Sequence, residues 1–273
     1  MRRSVIAGLI LVGLGLFVLT SGQARAQTRT LPKAVEPVIP TPSETPAPDA
    51  RACPVSGDSL ILAGDGLFRS RAAVGVGRLT ILAIGSSSIE GVGASRSELG
   101  FVPLLQSDLQ RRLPGVAVTV INRGIGGETA FEAANRMEAE IVAHQPDLVI
   151  WQIGTNDVLR ARPWNDIASD LQRGEAILNR WGVDVLLVDP QRVADDGLSA
   201  WVEGKNVPLN ETARLIALEG SRVGYAVQRR FDAMAGWGRL TRGGLGPDGL
   251  HLNDDGYACW AAITAEGLAA ALT

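Results

Sequence analysis

The sequence predicts an α/β fold in which parallel strands are joined by crossover helices. Short apolar runs and segments with three-to-four-residue apolar spacing alternate downstream of Arg78. That alternation is the pattern of strands connected by helices packed on a sheet. Each apolar run also leads into a glycine-rich or polar segment, as expected where ligands collect beyond the carboxyl ends of parallel strands.

The predicted strands are residues 79–84, 116–121, 148–153 and 183–188, with a weaker fifth at 225–228. Helices are predicted over 102–113, 131–144, 167–181 and 209–221, and a closing helix over 253–272. The length of 273 residues accommodates one such domain with an export and linker region before it.

The first residues read as a secretory leader, residues 1–26: Arg2 and Arg3, then an apolar run to Leu19, then Ala24-Arg25-Ala26. Small residues at minus three and minus one suit signal peptidase. The alternative is an uncleaved membrane anchor, since the apolar run falls only slightly short of the ~20 residues that span a bilayer. Residues 27–52 hold six prolines, Pro32, Pro37, Pro40, Pro42, Pro46 and Pro48, and are expected to form an extended, disordered tether. The folded domain is expected over 53–273.

Lys and Arg total 26 against 29 Asp and Glu, and loss of Arg2, Arg3 and Arg25 with the leader moves the net charge from −3 to −6. A mildly acidic surface without a dense basic run argues against nucleic acid, and against membrane binding once the leader is gone. Cys53 and Cys259 are the two cysteines. In an oxidising compartment they are expected to bridge, the alternative being two buried thiols; they are too few and too far apart to hold zinc.

The first strand runs into Gly85-Ser86-Ser87-Ser88-Ile89-Glu90-Gly91 and the second into Asn122-Arg123-Gly124-Ile125-Gly126-Gly127. The third leads to Gly154-Thr155-Asn156-Asp157, and the fifth, after a helical stretch, to Gly246-Pro247-Asp248-Gly249-Leu250-His251. These four segments, in this order, resemble the conserved blocks of the SGNH (GDSL-like) serine hydrolase family, from about residue 79 onward.

The resemblance implies a three-layer α/β/α sandwich around a five-stranded parallel, flavodoxin-like sheet. It implies Ser87 as nucleophile, Gly91 as the glycine that follows it, and Asp248 and His251 as the acid-base pair. The amides of Ser87 and Gly127 and the side-chain amide of Asn156 would form the oxyanion hole. The family's aspartate before the nucleophile is Ser86 here, whose hydroxyl is expected to accept a local backbone bond instead. Gly57-Asp58-Ser59-Leu60 spells the family's nickname but follows the proline tether rather than a strand, so it is read as coincidence.

The residue types suit the chemistry. A serine hydroxyl needs a neighbouring imidazole to take its proton. Of the two histidines, His144 ends a predicted helix, where an imidazole near the last carbonyls is a common structural feature. His251 is left as the base. Asp248, three residues earlier, can hold its tautomer. Gly127 permits close backbone approach.

Glu90 and Asp157 are expected to be structural. Trp164 and Trp201, in predicted loops above the strand ends, could stack on sugar rings but are read first as packing. The insert at 190–208 mixes Arg192, Asp195, Asp196, Glu203 and Lys205 with Trp201, a polar wall rather than a lipase groove.

The expectation is therefore an exported, periplasmic or secreted, carboxylic-ester hydrolase. It would remove short acyl groups, above all O-acetyl, from small molecules or carbohydrate, with no cofactor and no metal. An acyltransferase using the same triad and a non-catalytic envelope binding module are the alternatives. A phosphate-loop reading of residues 85–93 fails for want of Lys-Ser/Thr.

Overall fold

The computed structural model describes Cys53, the backbone of Ile61 and Leu62, and residues 66–273, all within a compact unit spanning Pro46–Thr273. The expected leader, the tether and Gly57-Asp58-Ser59-Leu60 lie outside the described residues.

In chain order the elements are β1 (Ile61–Leu62), α1 (Phe68–Gly75), β2 (Arg78–Gly85), α2 (Ser87–Glu90), α3 (Phe101–Arg112), β3 (Ala117–Gly124) and α4 (Ala130–His144). There follow β4 (Leu148–Gln152), α5 (Thr155–Leu159), α6 (Trp164–Trp181), β5 (Asp184–Val188), α7 (Asn206–Val223), β6 (Ala226–Gln228), α8 (Arg230–Ala235) and α9 (Asp254–Leu272). Short 3₁₀ turns occupy Ser97–Leu99 and Thr241–Gly244.

The sheet runs β1-β6-β5-β4-β2-β3. Strands β2 to β6 pair in parallel, giving the flavodoxin-like order expected of a five-stranded sheet. The two-residue β1 adds an antiparallel edge on β6, with Ile61 opposite Gln228, a sixth strand that the sequence pattern does not announce. Strand order reverses at β2, which pairs with both β3 and β4. In such a sheet the ligand crevice lies outside the carboxyl ends of the strands at that reversal.

Period-two alternation divides the strand residues between two cores. Leu79, Ile81 and Ala83 of β2, with Leu148, Ile150, Leu186 and Val188, pack under α3 and α9. Leu82 and Ile84, with Val149, Trp151, Val185, Leu187 and Val227, pack under α4, α6 and α7. The helix layers on both faces make the expected three-layer sandwich. The first core is keyed by Phe101 stacked on Trp260, centroids 3.6 Å apart. In the second, Trp151 lies so close to α6 that a Cβ on Gly174 would come within 2.3 Å of its ring. Only glycine lets that indole lie flush against the helix.

The exposed edge of β3 is covered by side chains rather than by another strand. Gln110 of α3 accepts from the Val118 amide at 3.0 Å and donates to the Val116 carbonyl at 2.6 Å, while Gln106 accepts from the Val120 amide at 2.8 Å. These bonds satisfy edge groups that would otherwise invite pairing with another chain.

Helix α7 begins at Asn206, earlier than expected, because Pro208 falls in its first turn, where backbone amides have no intrahelical acceptor to lose. Trp164 is likewise no loop residue: it opens α6 after Pro163 and packs half-buried against the second core.

Cys53 and Cys259 are joined, their Cα atoms 5.2 Å apart across 206 residues of sequence, so the bridge ties the chain near its entry to the buried face of α9. Closing so long a loop restricts the unfolded chain, which predicts up to ~5 kcal/mol of stabilisation. Urea unfolding of protein produced in an oxidising compartment should show a lower midpoint after reduction. Two titratable thiols in unreduced, denatured protein would contradict the bridge.

Candidate active site

Strand β2 ends at Gly85, where a Cβ would meet the Gln152 carbonyl at 2.8 Å, so the chain can turn here only with glycine. Ser86 stays extended, and Ser87 opens the four-residue α2, closed by Gly91 in the left-handed region (φ 103°). The Ser87 amide, at the first helical position, has no acceptor within the helix.

Ser86 does not accept a backbone bond as expected. Its hydroxyl donates to Gln152 Oε1 at 2.9 Å, and its amide donates to the same oxygen at 2.9 Å. A hydroxyl carries a proton that a carboxylate lacks, and the amide oxygen on β4 is the acceptor within reach. The turn is therefore fastened to the neighbouring strand.

His251 lies in the short loop between the 3₁₀ turn and α9. Its Nε2 stands 3.0 Å from Ser87 Oγ and its Nδ1 2.5 Å from Asp248 Oδ2. The other Asp248 oxygen accepts from the amides of Leu250 and His251, both at 3.0 Å. Burial opposes ionisation of Asp248. The imidazole hydrogen bond, the two amides and the charge of the imidazole outweigh it and hold the carboxyl below its ordinary value. His144, the other histidine, ends α4 beside Glu140, 3.4 Å away, as a helix-terminal residue.

The loop is braced on several sides. Gly246 and His251 bond through their backbones at 2.7 Å. Arg242 donates to the carbonyls of Gly246 (3.1 Å) and Pro247 (2.9 Å). Gly93, in the left-handed region, lies where a Cβ would come within 2.4 Å of the Leu252 carbonyl and 2.9 Å of His251 Cβ, so the segment after α2 presses directly on the histidine loop. Tyr257 donates to the Val92 carbonyl at 2.6 Å, and Ser95 bonds Asp254 through both its amide (2.7 Å) and its hydroxyl (2.6 Å).

Gly127 sits in the turn after β3 with φ 78°, its carbonyl accepting from Arg160 at 2.7 Å. Asn156, on α5 after β4, donates through Nδ2 to the Glu128 carbonyl at 2.9 Å, which leaves the second amide hydrogen uncommitted. Glu128 is itself buried and held by a forked contact with Arg136. Burial pushes its carboxyl upward against the pull of Arg136. Asp157 has the structural role expected of it: fully buried, it pairs with Arg162 at 2.7 Å and accepts from the Ala130 amide that opens α4. Glu90 is exposed, with its carboxylate beside Gly126.

Four polar residues that sequence reasoning missed hold these segments together. Gln152 fastens the Ser86 turn, Glu128 and its neighbours fasten Asn156, and Arg242 braces the loop of Asp248. Gln191 is buried between α2 and the histidine loop, accepting from the Ser88 hydroxyl at 2.7 Å and donating to the Leu250 carbonyl. Nothing in the local sequence marks Gln191, which lies three residues past the end of β5. Trp201 is half exposed in the segment before α7, and its indole donates to the Asp248 carbonyl at 3.1 Å.

A family model described as the Non-GDSL lipase-like family matches residues 52–242, which include Ser87, Gly127 and Asn156 but stop short of Asp248 and His251. An arylesterase of Vibrio mimicus is 35% identical over 74 residues, 27% of this chain and 37% of that protein. An acetylxylan esterase of Geobacillus stearothermophilus is 30% identical over 105 residues, 38% of this chain and 42% of that protein. The chain thus spans less than half the length of these relatives.

Among solved structures, a two-domain esterase active on acetylated mannans, co-crystallized with mannopentaose, superposes with a TM-score of 0.59 at 22% identity, over 79% of this chain and 56% of that one. That likeness concerns the fold alone. With the family model covering most of the described domain and the sheet and strand-end segments in the arrangement above, the chain belongs to the Non-GDSL lipase-like family of SGNH-type hydrolases.

Proposed function

We propose that this protein is an exported serine esterase that hydrolyses short acyl esters, O-acetyl groups on carbohydrate above all, through an acyl-enzyme on Ser87. The observation that carries the reading is the unbroken relay from Ser87 Oγ to His251 Nε2 (3.0 Å) and from Nδ1 to Asp248 (2.5 Å) at the carboxyl edge of the sheet. The esterase names of the relatives support it.

His251 Nε2 takes the hydroxyl proton as Ser87 Oγ bonds to the acyl carbon, and the carbonyl electron pair moves onto oxygen. Collapse of that intermediate breaks the ester C–O bond, and the departing alkoxide takes the proton from Nε2. Water repeats the sequence on the acyl-enzyme, its proton passing through His251 to Ser87 as the acid leaves. Asp248, kept ionised by its donors, orients the ring and stabilises the imidazolium without taking the proton itself. The amides of Ser87 and Gly127 and the free amide hydrogen of Asn156 stabilise the oxyanion.

The same reading assigns residues 1–26 to a leader, 27–52 to a tether and 53–273 to the hydrolase domain. The Cys53–Cys259 bridge supports an oxidising destination. Among the described residues no helix is long and apolar enough to cross a membrane.

Ser87→Ala in the full-length protein should abolish hydrolysis of 4-nitrophenyl acetate with the circular dichroism unchanged, whereas Ser59→Ala should leave the rate as it was. The opposite pattern would move the nucleophile to the upstream motif.

Asn156→Ala should lower kcat by about a hundredfold through loss of one oxyanion donor. An unaltered kcat would remove that side chain from the mechanism.

Among esters of one leaving group, kcat/KM should fall from acetyl to butyryl to octanoyl. The segment at 189–205 exposes Asp195, Asp196 and Glu203 and offers little continuous apolar surface. Each acyl methylene left in water forgoes about 0.8 kcal/mol of burial. A maximum at octanoyl would turn the reading towards a lipase.

A further inference from the structure

The alcohol side of the ester is defined by proton geometry. His251 Nε2 must return its proton to the departing alkoxide, so the alcohol leaves on the side of the histidine loop. There the segment at 189–205 is built against that loop: Ala194 donates to the Gly249 carbonyl at 2.8 Å, and Arg242 pairs with Asp196 at 2.7 Å while holding the carbonyls of Gly246 and Pro247.

Trp201 is carried on this wall. Its one donor is committed to the Asp248 carbonyl, which fixes the indole, yet the residue remains 53% exposed. In this it differs from Trp151, Trp237 and Trp260, which are each fully buried. Trp181 offers an internal comparison. It is also exposed and bonded through its indole to Glu138 at 3.2 Å, but it ends α6, at the edge of the sheet where β5 enters, away from the site.

We propose that Trp201 is a carbohydrate platform, its ring taking the apolar face of the pyranose whose ester is cleaved. The committed indole N–H leaves the π face as the contact surface, and aromatic faces suit the axial C–H groups of a sugar ring. Exposed Asp195, Asp196 and Glu203 on the same wall supply acceptors for ring hydroxyls. An alkyl alcohol would find no use for those carboxylates and would meet only Trp201 and the exposed Leu198 as apolar surface on this wall. This assignment rests on the esterase reading above and names the substrate side of the same site.

The test compares full-length wild type, Trp201→Ala, Trp201→Phe and Trp181→Ala on O-acetylated xylooligosaccharides and on 4-nitrophenyl acetate, with melting curves to confirm folding. The ratio of kcat/KM for the glycan to that for the small ester should fall about tenfold in Trp201→Ala, chiefly through KM, and stay within about twofold in Trp201→Phe and Trp181→Ala. An unchanged ratio in Trp201→Ala overturns the platform. So does a fall in Trp201→Phe as large as in Trp201→Ala, which would assign the effect to the bond with Asp248. If wild type cleaves 4-nitrophenyl acetate but no acetylated oligosaccharide, the platform fails and the serine esterase reading stands. If it cleaves neither ester, that reading fails and the platform with it.

Discussion

The hydrogen bond between Ser87 and His251 closes at 3.0 Å across 164 residues of sequence, and the carboxyl edge of the molecule is arranged to hold that distance. The serine side is fixed by the turn at Gly85 and by Gln152. The histidine side hangs on α9, whose first turn is tied back to the serine segment by Tyr257, Asp254 and the close approach at Gly93. Farther along α9, the Phe101–Trp260 stack seats the helix on α3, and the disulfide at Cys259 fastens it to the chain's entry. Misplacing a reacting group by about 1 Å can cost a hundredfold in rate, so these distant contacts bear directly on the proposed chemistry.

Charge is distributed to the same end. Each of three carboxylates near the site has a cation or several amides set against it: Asp157 with Arg162, Glu128 with Arg136, Asp248 with its two amides and the imidazole. Burial still pushes Asp157 and Glu128 upward, whereas Asp248 is held below its ordinary value. The first two pairs orient Asn156 and the turn of Gly127 without facing the relay. Arg230 shows the other solution. Wholly buried over the Trp260 ring at 4.4 Å, its guanidinium is pushed down by desolvation while nearby Asp189, buried with it, is pushed up.

The central strands were legible because they are buried on both faces and therefore read as continuous apolar runs, as in β4 and β5. Ser87, Gly127, Asn156 and the Asp248–His251 pair could be singled out because the segments after the strands resemble the blocks of the SGNH family, in order; the structure places Ser87, His251 and Asp248 within hydrogen-bonding distance of one another. Elements α2 and α5, of four and five residues, are too short to show a period. Helix α1 hides for a different reason: its largest apolar residue, Phe68, faces solvent. Gln191 and Arg242 were invisible because nothing local marks them. Gln191 meets Ser88 across 103 positions, and Arg242 meets Asp196 across 46, so their roles exist only once the chain has folded. The Ser86 hydroxyl was misread for the same reason, since its acceptor lies 66 residues away on β4.

The proposed chemistry requires Ser87 to be an activated nucleophile. Incubating the full-length protein with a fluorophosphonate probe and mapping the adduct by peptide mass spectrometry tests it without reference to any substrate. One covalent adduct should form, on the peptide containing Ser87, and its formation should slow sharply when His251 is replaced by alanine. An adduct on Ser59, or an esterase-active protein that takes no label at Ser87, would contradict it.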